Sequence, residues 1–150
     1  PVAVGDRLFV YFRGTPRRHA KVPREFDPHI EGDQDRSTMS IGLATMRLDG
    51  FASVAGSYDV GCLTTRPFRC QGDRLHVNAK ADHGRLRAEL LTVDEKPIKG
   101  YGLDDCVPLG ADGVDQVVRW GREGEAPIPE HAVRLHFELT NARLYSYWSL

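Results

Sequence analysis

Neighbouring carboxylates have the most direct potential for catalysis in this sequence, and Asp104 and Asp105 form the most evident pair. Glycoside cleavage needs an acid and a base or nucleophile that face each other across the scissile bond. Consecutive side chains of an extended segment point in opposite directions, so these two carboxylates cannot easily address one bond. We expect them to form a turn or to accept backbone hydrogen bonds, and the sequence predicts no catalytic residue.

Aromatic side chains are better candidates for ligand contacts, because sugar rings stack their C–H faces on exposed Trp and Tyr rings. Trp120 lies two residues after Val118 on one predicted strand face, which favours a place in the core for this residue. An exposed ring would instead indicate an oligosaccharide site. The candidates by residue type are Tyr101, Trp120, Tyr145, Tyr147 and Trp148.

Polar residues that alternate with apolar ones form a second kind of candidate surface. Arginine, histidine and carboxylate groups on one sheet face can bind hydroxyl or carboxylate groups of a ligand. An ordinary solvated sheet face has the same pattern, and both interpretations stay open. The alternating positions are Arg85, Arg87, Glu89, His76, Asn78, Arg134, His136 and Glu138. The candidate ligand-binding residues are therefore Tyr101, Asp104, Asp105, Trp120, Trp148, Arg87 and His136.

The cysteine and histidine residues do not predict a metal site. Cys62, Cys70 and Cys106 form an odd set without a C-x-x-C pair, which fits neither a disulfide framework nor a zinc knuckle. The six histidines lack the i, i+4 pairs that place two ligands on one helix face. We expect free thiols, buried or half-buried, although a bridge between Cys62 and Cys70 stays open. No metal is predicted, and the absence of phosphate-loop, esterase and zincin motifs predicts no cofactor.

Strands must position these side chains, because no long stretch of the sequence has helical apolar spacing. Residues 75–80, 85–90 and 133–139 each alternate apolar and polar side chains, which is typical of antiparallel sheets with one buried face. The tripeptide Asp82-His83-Gly84 predicts a tight hairpin turn between the first two of these strands. Further strands are predicted over residues 61–66, 115–120 and 142–148. Together they predict an all-β fold, an antiparallel, jelly-roll-like β-sandwich with about eight strands after Asp49.

A β-hairpin with a long loop is predicted before the sandwich. Residues 7–13 form a continuous β-branched and aromatic run, which favours a strand covered on both faces, and residues 40–47 form a strand of similar length. The connection over residues 14–38 is rich in Pro, Gly and charge, with a basic block followed by an acidic block. Such charge runs are usually solvated, and a rim that contacts a ligand is the alternative.

Composition is that of an ordinary globular domain. The chain has 150 residues, 41% of them hydrophobic, and a formal charge of -1, so no global field draws it to nucleic acid or an anionic membrane. No apolar run reaches the roughly 18 residues of a membrane-spanning helix. We therefore expect a soluble chain whose partners are neither nucleic acid nor a membrane. The first residue, Pro1, leaves the compartment open.

A series of short motifs runs through nearly the whole chain in a fixed order. It begins with Ser40-Ile41-Gly42-Leu43-Ala44-Thr45-Met46-Arg47 and continues with Asp49-Gly50-Phe51. Further members are residues 61–68, 75–79, 97–101, 104–106, 117–120, 133–137 and 144–147. In this order the motifs resemble the C-terminal part of bacterial proteins related to glycoside hydrolase families 32 and 43. In those proteins a five-bladed β-propeller ends in such a strand, and a β-sandwich begins at the Asp-Gly-Phe.

The resemblance implies both a domain organisation and a function. Residues 1–47 would be the end of the last propeller blade, and residues 48–150 would be the sandwich domain. The catalytic carboxylates of such enzymes lie on early blades, which are missing from these residues, so no catalytic residue is carried over. The implied function is a non-catalytic, carbohydrate-associated accessory domain of a glycosidase-like protein, with structural support and possible oligosaccharide binding. An upstream propeller or another copy of the chain would be its partner, and the resemblance implies an extracellular or periplasmic location.

Two alternative functions stay open. The chain could be part of a glycoside hydrolase whose catalytic carboxylates lie on the missing propeller domain. It could also be a protein interaction or oligomerisation module, because the strands over residues 7–13 and 40–47 would expose apolar faces and edges if no propeller covered them.

Overall fold

The computed structural model describes residues 1–14, 40–121 and 127–150. These ranges contain ten β-strands and no helix, so the predicted all-β class is confirmed. The chain divides into two compact units, Pro1–Leu48 and Asp49–Leu150. Apart from Gly14, the predicted loop over residues 14–38 and its charge blocks lie outside the described residues.

The first unit is a three-stranded antiparallel sheet in the order β1-β2-β3. Its strands are β1 (Val2–Val4), β2 (Arg7–Gly14) and β3 (Ser40–Arg47). β2 and β3 pair along their full lengths, as the predicted hairpin requires. The sequence does not predict β1, because three residues are too few to show an alternation.

A glycine in β3 makes room for an aromatic ring of β2. Phe12 lies opposite Gly42, and a Cβ atom at Gly42 would come within 2.3 Å of the ring carbon Cζ of Phe12. The ring therefore covers the glycine backbone, an arrangement that compensates for the missing side chain. Tyr11 and Phe12 are both exposed, and because consecutive strand residues point to opposite sides, this sheet has apolar side chains on both faces.

The second unit is a sandwich of two antiparallel sheets, with strand orders β4-β10-β6-β8 and β5-β9-β7. Its strands are β4 (Val54–Gly56), β5 (Gly61–Thr64), β6 (Leu75–Lys80), β7 (Arg85–Leu91), β8 (Asp112–Val118), β9 (Arg134–Thr140) and β10 (Ala142–Ser149). The described part of this unit thus has seven strands where about eight are predicted. The short β4 is not predicted, and β8 begins and ends earlier than the predicted strand over residues 115–120.

The hydrophobic core lies between these two sheets, because both direct their alternating apolar side chains inwards. The predicted alternation of β6, β7 and β9 is confirmed, and the apolar members of all three strands are buried in one cluster. Full burial of such a Leu, Val or Phe side chain contributes about 1.5–3 kcal/mol to stability. The buried members are Leu75, Val77, Ala79, Leu86, Ala88, Leu90, Val133, Leu135, Phe137 and Leu139.

The segment Asp82-His83-Gly84 forms a turn, but the prediction of a hairpin between paired strands is wrong. The N–H of Gly84 donates to the carbonyl oxygen of Ala81 at 3.0 Å, whereas β6 and β7 belong to different sheets. Both strands direct their apolar sides into the same core, so they lie in opposite layers of the sandwich. A Cβ atom at Gly84 would lie 2.0 Å from the carbonyl oxygen of Thr140, so glycine is required at this crossing.

Candidate functional site

A cluster of polar side chains covers the outer surface of the three-stranded sandwich sheet. We call it the polar face and define it as Cys62, Thr64, Arg87, His136 and Glu138. Strand register brings these residues together, because Cys62 lies opposite Glu138 and Thr64 lies opposite His136. On the other side of β9, Arg87 also lies opposite Glu138. Their neighbours along β7 and β9 point into the core, so the alternation of the strands turns these side chains outwards.

Arg87 is at the centre of the ion pairs on the polar face. Its Nη2 donates to Oε2 of Glu138 at 2.7 Å, and the two side chains are only 22% and 21% exposed. Its Nη1 lies 3.5 Å from Oδ1 of Asp104, a fully exposed side chain whose attraction is weakened by water. The Nε atom of Arg87 is buried and has no hydrogen-bond partner among the described residues. The short contact with Glu138 is thus the main interaction that holds the guanidinium group of Arg87 in place.

His136 lies beside this ion pair and completes a group of potential metal ligands. Its Nδ1 lies 2.7 Å from Oγ1 of Thr64. Ligand atoms of Cys62, His136 and Glu138 all lie within 4.8 Å of one another. Helical and C-x-x-C spacings in the sequence do not reveal this group, because the sheet joins Cys62 to ligands that are more than seventy residues away. The signal that could have indicated it is the i, i+2 spacing of His136 and Glu138 on one strand face.

Asp104 and Asp105 lie in a turn and have different contacts. Oδ2 of Asp105 accepts a hydrogen bond from the N–H of Gly102 at 3.1 Å, and the N–H of Asp105 donates to the carbonyl oxygen of Gly102 at 3.0 Å. Asp104 instead reaches Arg87 at the edge of the polar face. Asp105 thus stabilises the turn, as expected from the sequence, and the two carboxylates do not face one another across a common site.

Tyr101 and Trp120 contact each other at the edge of the core. The indole of Trp120 is 3% exposed, and its Nε1–H donates to the carbonyl oxygen of Ala88 at 2.8 Å. The two rings pack edge to face with centroids 5.6 Å apart, and the hydroxyl of Tyr101 donates to the carbonyl oxygen of Pro127. Because its indole is buried, Trp120 cannot stack on a sugar ring, and the expected core position of this residue is confirmed.

A cavity of about 590 Å³ opens beside Tyr101 and is lined in part by Cys70, Asp73 and Glu130. Burial raises the pKa of the Cys70 thiol, and a hydrogen bond with Ser149 opposes that shift. The thiol is therefore protonated at neutral pH and is a poor nucleophile. This cavity contains one predicted ligand residue, Tyr101, but none of the polar-face residues.

Trp148 lies on the other sandwich sheet, opposite His76 in the pairing of β10 with β6. The indole and imidazole rings stack with centroids 5.5 Å apart and an interplanar angle of 24°. The Nδ1 atom of His76 lies 2.6 Å from Oδ1 of Asp115, whose side chain is 58% exposed. We call these three residues the aromatic face. Because the aromatic face and the polar face lie on different sheets, the residues predicted to bind ligand do not form one site.

The other two aromatic candidates are both in β10. Tyr147 packs against Phe137 and Phe68, with ring centroids 5.7 Å and 5.9 Å away. Tyr147 thus contacts core residues on one side, and 37% of its surface remains exposed. Tyr145 is half-buried in the same strand.

All three cysteines are free thiols, and their burial differs. Cys70 and Cys106 are half-buried and buried, as expected, whereas the expectation is wrong for Cys62, which is exposed on the outer surface of β5. Burial raises the pKa of the Cys106 thiol. The hydrogen bond that its Sγ accepts from the N–H of Ala88 at 3.3 Å and the charge of Arg87 act in the opposite direction.

Comparison of the chain with protein-family models, with curated proteins and with solved structures finds no match. The resemblance to glycoside hydrolase families 32 and 43 therefore rests on the order of the sequence motifs alone. None of the described residues forms a helix that is long and apolar enough to cross a membrane.

Proposed function

We propose that this chain is a non-catalytic, carbohydrate-associated β-sandwich, the accessory domain of a glycosidase-like protein. The observation that carries the proposal is the aromatic face, where a partly exposed indole lies beside an imidazole and a carboxylate. Sugar rings stack on indole surfaces, and neighbouring polar groups bind their hydroxyls. Asp115 is suited to accept hydrogen bonds from such hydroxyls, because more than half of its side chain is exposed.

The positions of the carboxylates support a non-catalytic role. A glycosidase needs two carboxyl groups that flank one bond, about 5–10 Å apart. The most evident pair of the sequence, Asp104 and Asp105, is divided between an ion pair with Arg87 and a hydrogen bond within a turn. Under the proposal, catalysis belongs to a propeller domain, so the alternative of a larger glycoside hydrolase is compatible with this role for the sandwich.

A glycan array followed by titration calorimetry tests the proposed sugar site. We expect an oligosaccharide to bind the chain, and we expect Trp148→Ala to weaken binding about tenfold, which corresponds to about 1.4 kcal/mol. Tyr58→Ala is the matched control, because Tyr58 is an exposed aromatic residue near the opposite end of β10.

Three outcomes would contradict the proposal. Absence of glycan binding, or binding that Trp148→Ala leaves unchanged, would exclude the aromatic face as a sugar site. Glycosidase turnover by the isolated chain would exclude the non-catalytic role.

The first unit favours a second candidate function, that of a protein interaction or oligomerisation module. Ile41 is 85% exposed, Leu43 is exposed on the same face, and Phe12 is exposed on the opposite face. Clustered exposed apolar side chains are typical of surfaces that bind a partner, which here would be the upstream propeller or another copy of the chain. Light scattering over a concentration series tests self-association: a dimer supports this candidate, and a strictly monomeric chain at high concentration contradicts association with another copy.

A further inference from the structure

The polar face combines the ligand types that bind zinc-like cations. Thiolate and imidazole groups favour Zn²⁺ over the harder cations Mg²⁺ and Ca²⁺, and a carboxylate oxygen commonly completes such a set. We propose that Cys62, His136 and Glu138 bind a divalent transition-metal ion of the zinc class. This inference does not depend on the proposed carbohydrate function, because the aromatic face lies on the other sheet.

The spacing of the three ligand atoms fits one ion after small side-chain movements. All of them lie within 4.8 Å of one another. Ligands of one tetrahedral zinc ion, bound at about 2.0–2.3 Å, lie about 3.3–3.8 Å apart. The remaining difference is at most about 1.5 Å for a pair of ligand atoms, which rotation about side-chain bonds supplies.

The backbone holds these ligands in place before any ion binds. Cys62 lies directly opposite Glu138 in the pairing of β5 with β9. His136 lies two residues before Glu138 on the same face of the same strand. The three side chains therefore project from two hydrogen-bonded strands of a packed sandwich, which is a more rigid support than a loop.

Two of the ligands also have the outer contacts that metal ligands usually require. A metal-bound histidine commonly donates its second ring N–H to an oxygen atom. The 2.7 Å contact between Nδ1 of His136 and Oγ1 of Thr64 provides that partner in the tautomer that leaves the lone pair on Nε2. Oε2 of Glu138 accepts a hydrogen bond from Arg87 at 2.7 Å, and ligating carboxylates usually have such an outer hydrogen bond.

Charge and exposure define the kind of site. The thiolate of Cys62 and the carboxylate of Glu138 supply two negative charges, and the guanidinium of Arg87 offsets one of them. We therefore expect moderate affinity. Cys62 is exposed, so water can reach an ion at this site and supply a fourth ligand. An ion with three protein ligands and one open position is the arrangement that zinc has in catalytic sites, whereas structural zinc sites are closed by four protein ligands.

Cobalt titration of the reduced, full chain tests this proposal, because Co²⁺ replaces Zn²⁺ and reports its ligands spectroscopically. We expect one equivalent of Co²⁺ to give a thiolate charge-transfer band in the near ultraviolet together with tetrahedral bands in the visible region. Zn²⁺ should abolish both signals by displacement. Zn²⁺ should also raise the melting temperature of the wild-type chain.

Four variants show whether this particular cluster is the site. Cys62→Ser should abolish the charge-transfer band, and His136→Gln should weaken Co²⁺ binding at least about tenfold. Thr64→Val should retain the band but weaken binding about 10–100-fold, as loss of an outer partner typically does. Cys70→Ser is the matched control and should bind like the wild type. A circular-dichroism melt without metal verifies that each variant is folded.

Three results would overturn the proposal. These are the absence of a thiolate band in the wild type, a band that persists in Cys62→Ser, and loss of the band in Cys70→Ser. Equal affinity of the wild type and Thr64→Val would contradict the role of Thr64 in orienting His136.

Discussion

Arg87 makes its shorter carboxylate contact with Glu138, at 2.7 Å, and a longer one with Asp104, at 3.5 Å. Its ion pair with Glu138 is only about one fifth exposed on each side, at 22% and 21%. Removal of one partner from such a pair leaves the other charge poorly solvated, whereas replacement of both by apolar side chains of similar volume is often close to neutral. The pair therefore specifies the local arrangement more than it adds net stability.

For Arg87→Met we expect a loss of about 1–3 kcal/mol in the free energy of unfolding, because Glu138 keeps its charge without its partner. The double variant Arg87→Met with Glu138→Leu should recover most of that loss. Urea unfolding of the wild type, both single variants and the double variant gives the coupling energy. If the stability changes of the two single variants simply add up in the double variant, the two side chains do not depend on each other and the prediction is wrong.

The buried thiol of Cys106 makes the stability of the sandwich depend on pH in the alkaline range. Burial raises its pKa in the folded state, so the folded chain holds this proton at a pH where the unfolded chain has released it. Stability from this group is therefore complete below the unfolded pKa of about 8.5 and falls as the pH rises from there through the higher folded pKa. Cys70 has the same direction of shift, so it adds to the effect.

Cys106→Ala should lose less stability than the wild type between about pH 8 and pH 10, because the thiol that titrates there is gone. Urea midpoints measured across this range check the prediction. Cys62→Ala is the control, because that thiol is exposed. Parallel pH profiles for Cys106→Ala and the wild type would contradict the predicted linkage.

Among single residues, local spacing and residue type predict some positions correctly, whereas a contact that depends on strand register is not predicted. The core position of Trp120 follows from its spacing to Val118, and the turn contacts of Asp105 follow from its residue type. The group of Cys62, His136 and Glu138 does not follow, because the register between β5 and β9 joins residues whose separation no local period reveals.

Among the strands, the alternation of β6, β7 and β9 identifies correctly which side chains enter the core. It does not identify which strands pair. The turn at Asp82-His83-Gly84 looks locally like a hairpin, yet the two strands it joins lie in different sheets. The alternation of apolar and polar residues determines which side of each strand faces the core. Which strands pair by hydrogen bonds depends instead on how all seven strands pack around that core.

Phe137 is the largest fully buried side chain of the sandwich and packs against Tyr147. We expect Phe137→Ala to lower the free energy of unfolding by about 3–5 kcal/mol, because it removes buried surface and leaves a cavity. Guanidinium unfolding measures this loss. Tyr58→Ala, at an exposed position, should change stability by less than about 0.5 kcal/mol. A loss below about 1 kcal/mol for Phe137→Ala would mean that the register of β9 is wrong.

On the scale of the whole molecule, the two units differ in how they bury their strands. The inward-facing residues of β6, β7 and β9 are fully buried, whereas every residue of β2 and β3 is exposed or only half-buried. Backbone hydrogen bonds of strands without a buried core open more readily to water.

Amide hydrogen exchange should therefore show lower protection in β2 and β3 than in β6, β7 and β9. The measurement is made at several protein concentrations. Protection that rises in β2 and β3 with concentration would indicate coverage by another copy. Equal protection of the two units at every concentration would contradict the difference in burial.

Under the proposed function, the aromatic face of the sandwich binds sugar without cleaving it. A crystal structure of the full chain, soaked with the oligosaccharide that binds best on the array, tests this proposal. We predict an intact sugar ring stacked on Trp148, with a hydroxyl hydrogen-bonded to Asp115. A cleaved sugar, or an oligosaccharide bound elsewhere while the aromatic face holds none, would contradict the proposed function.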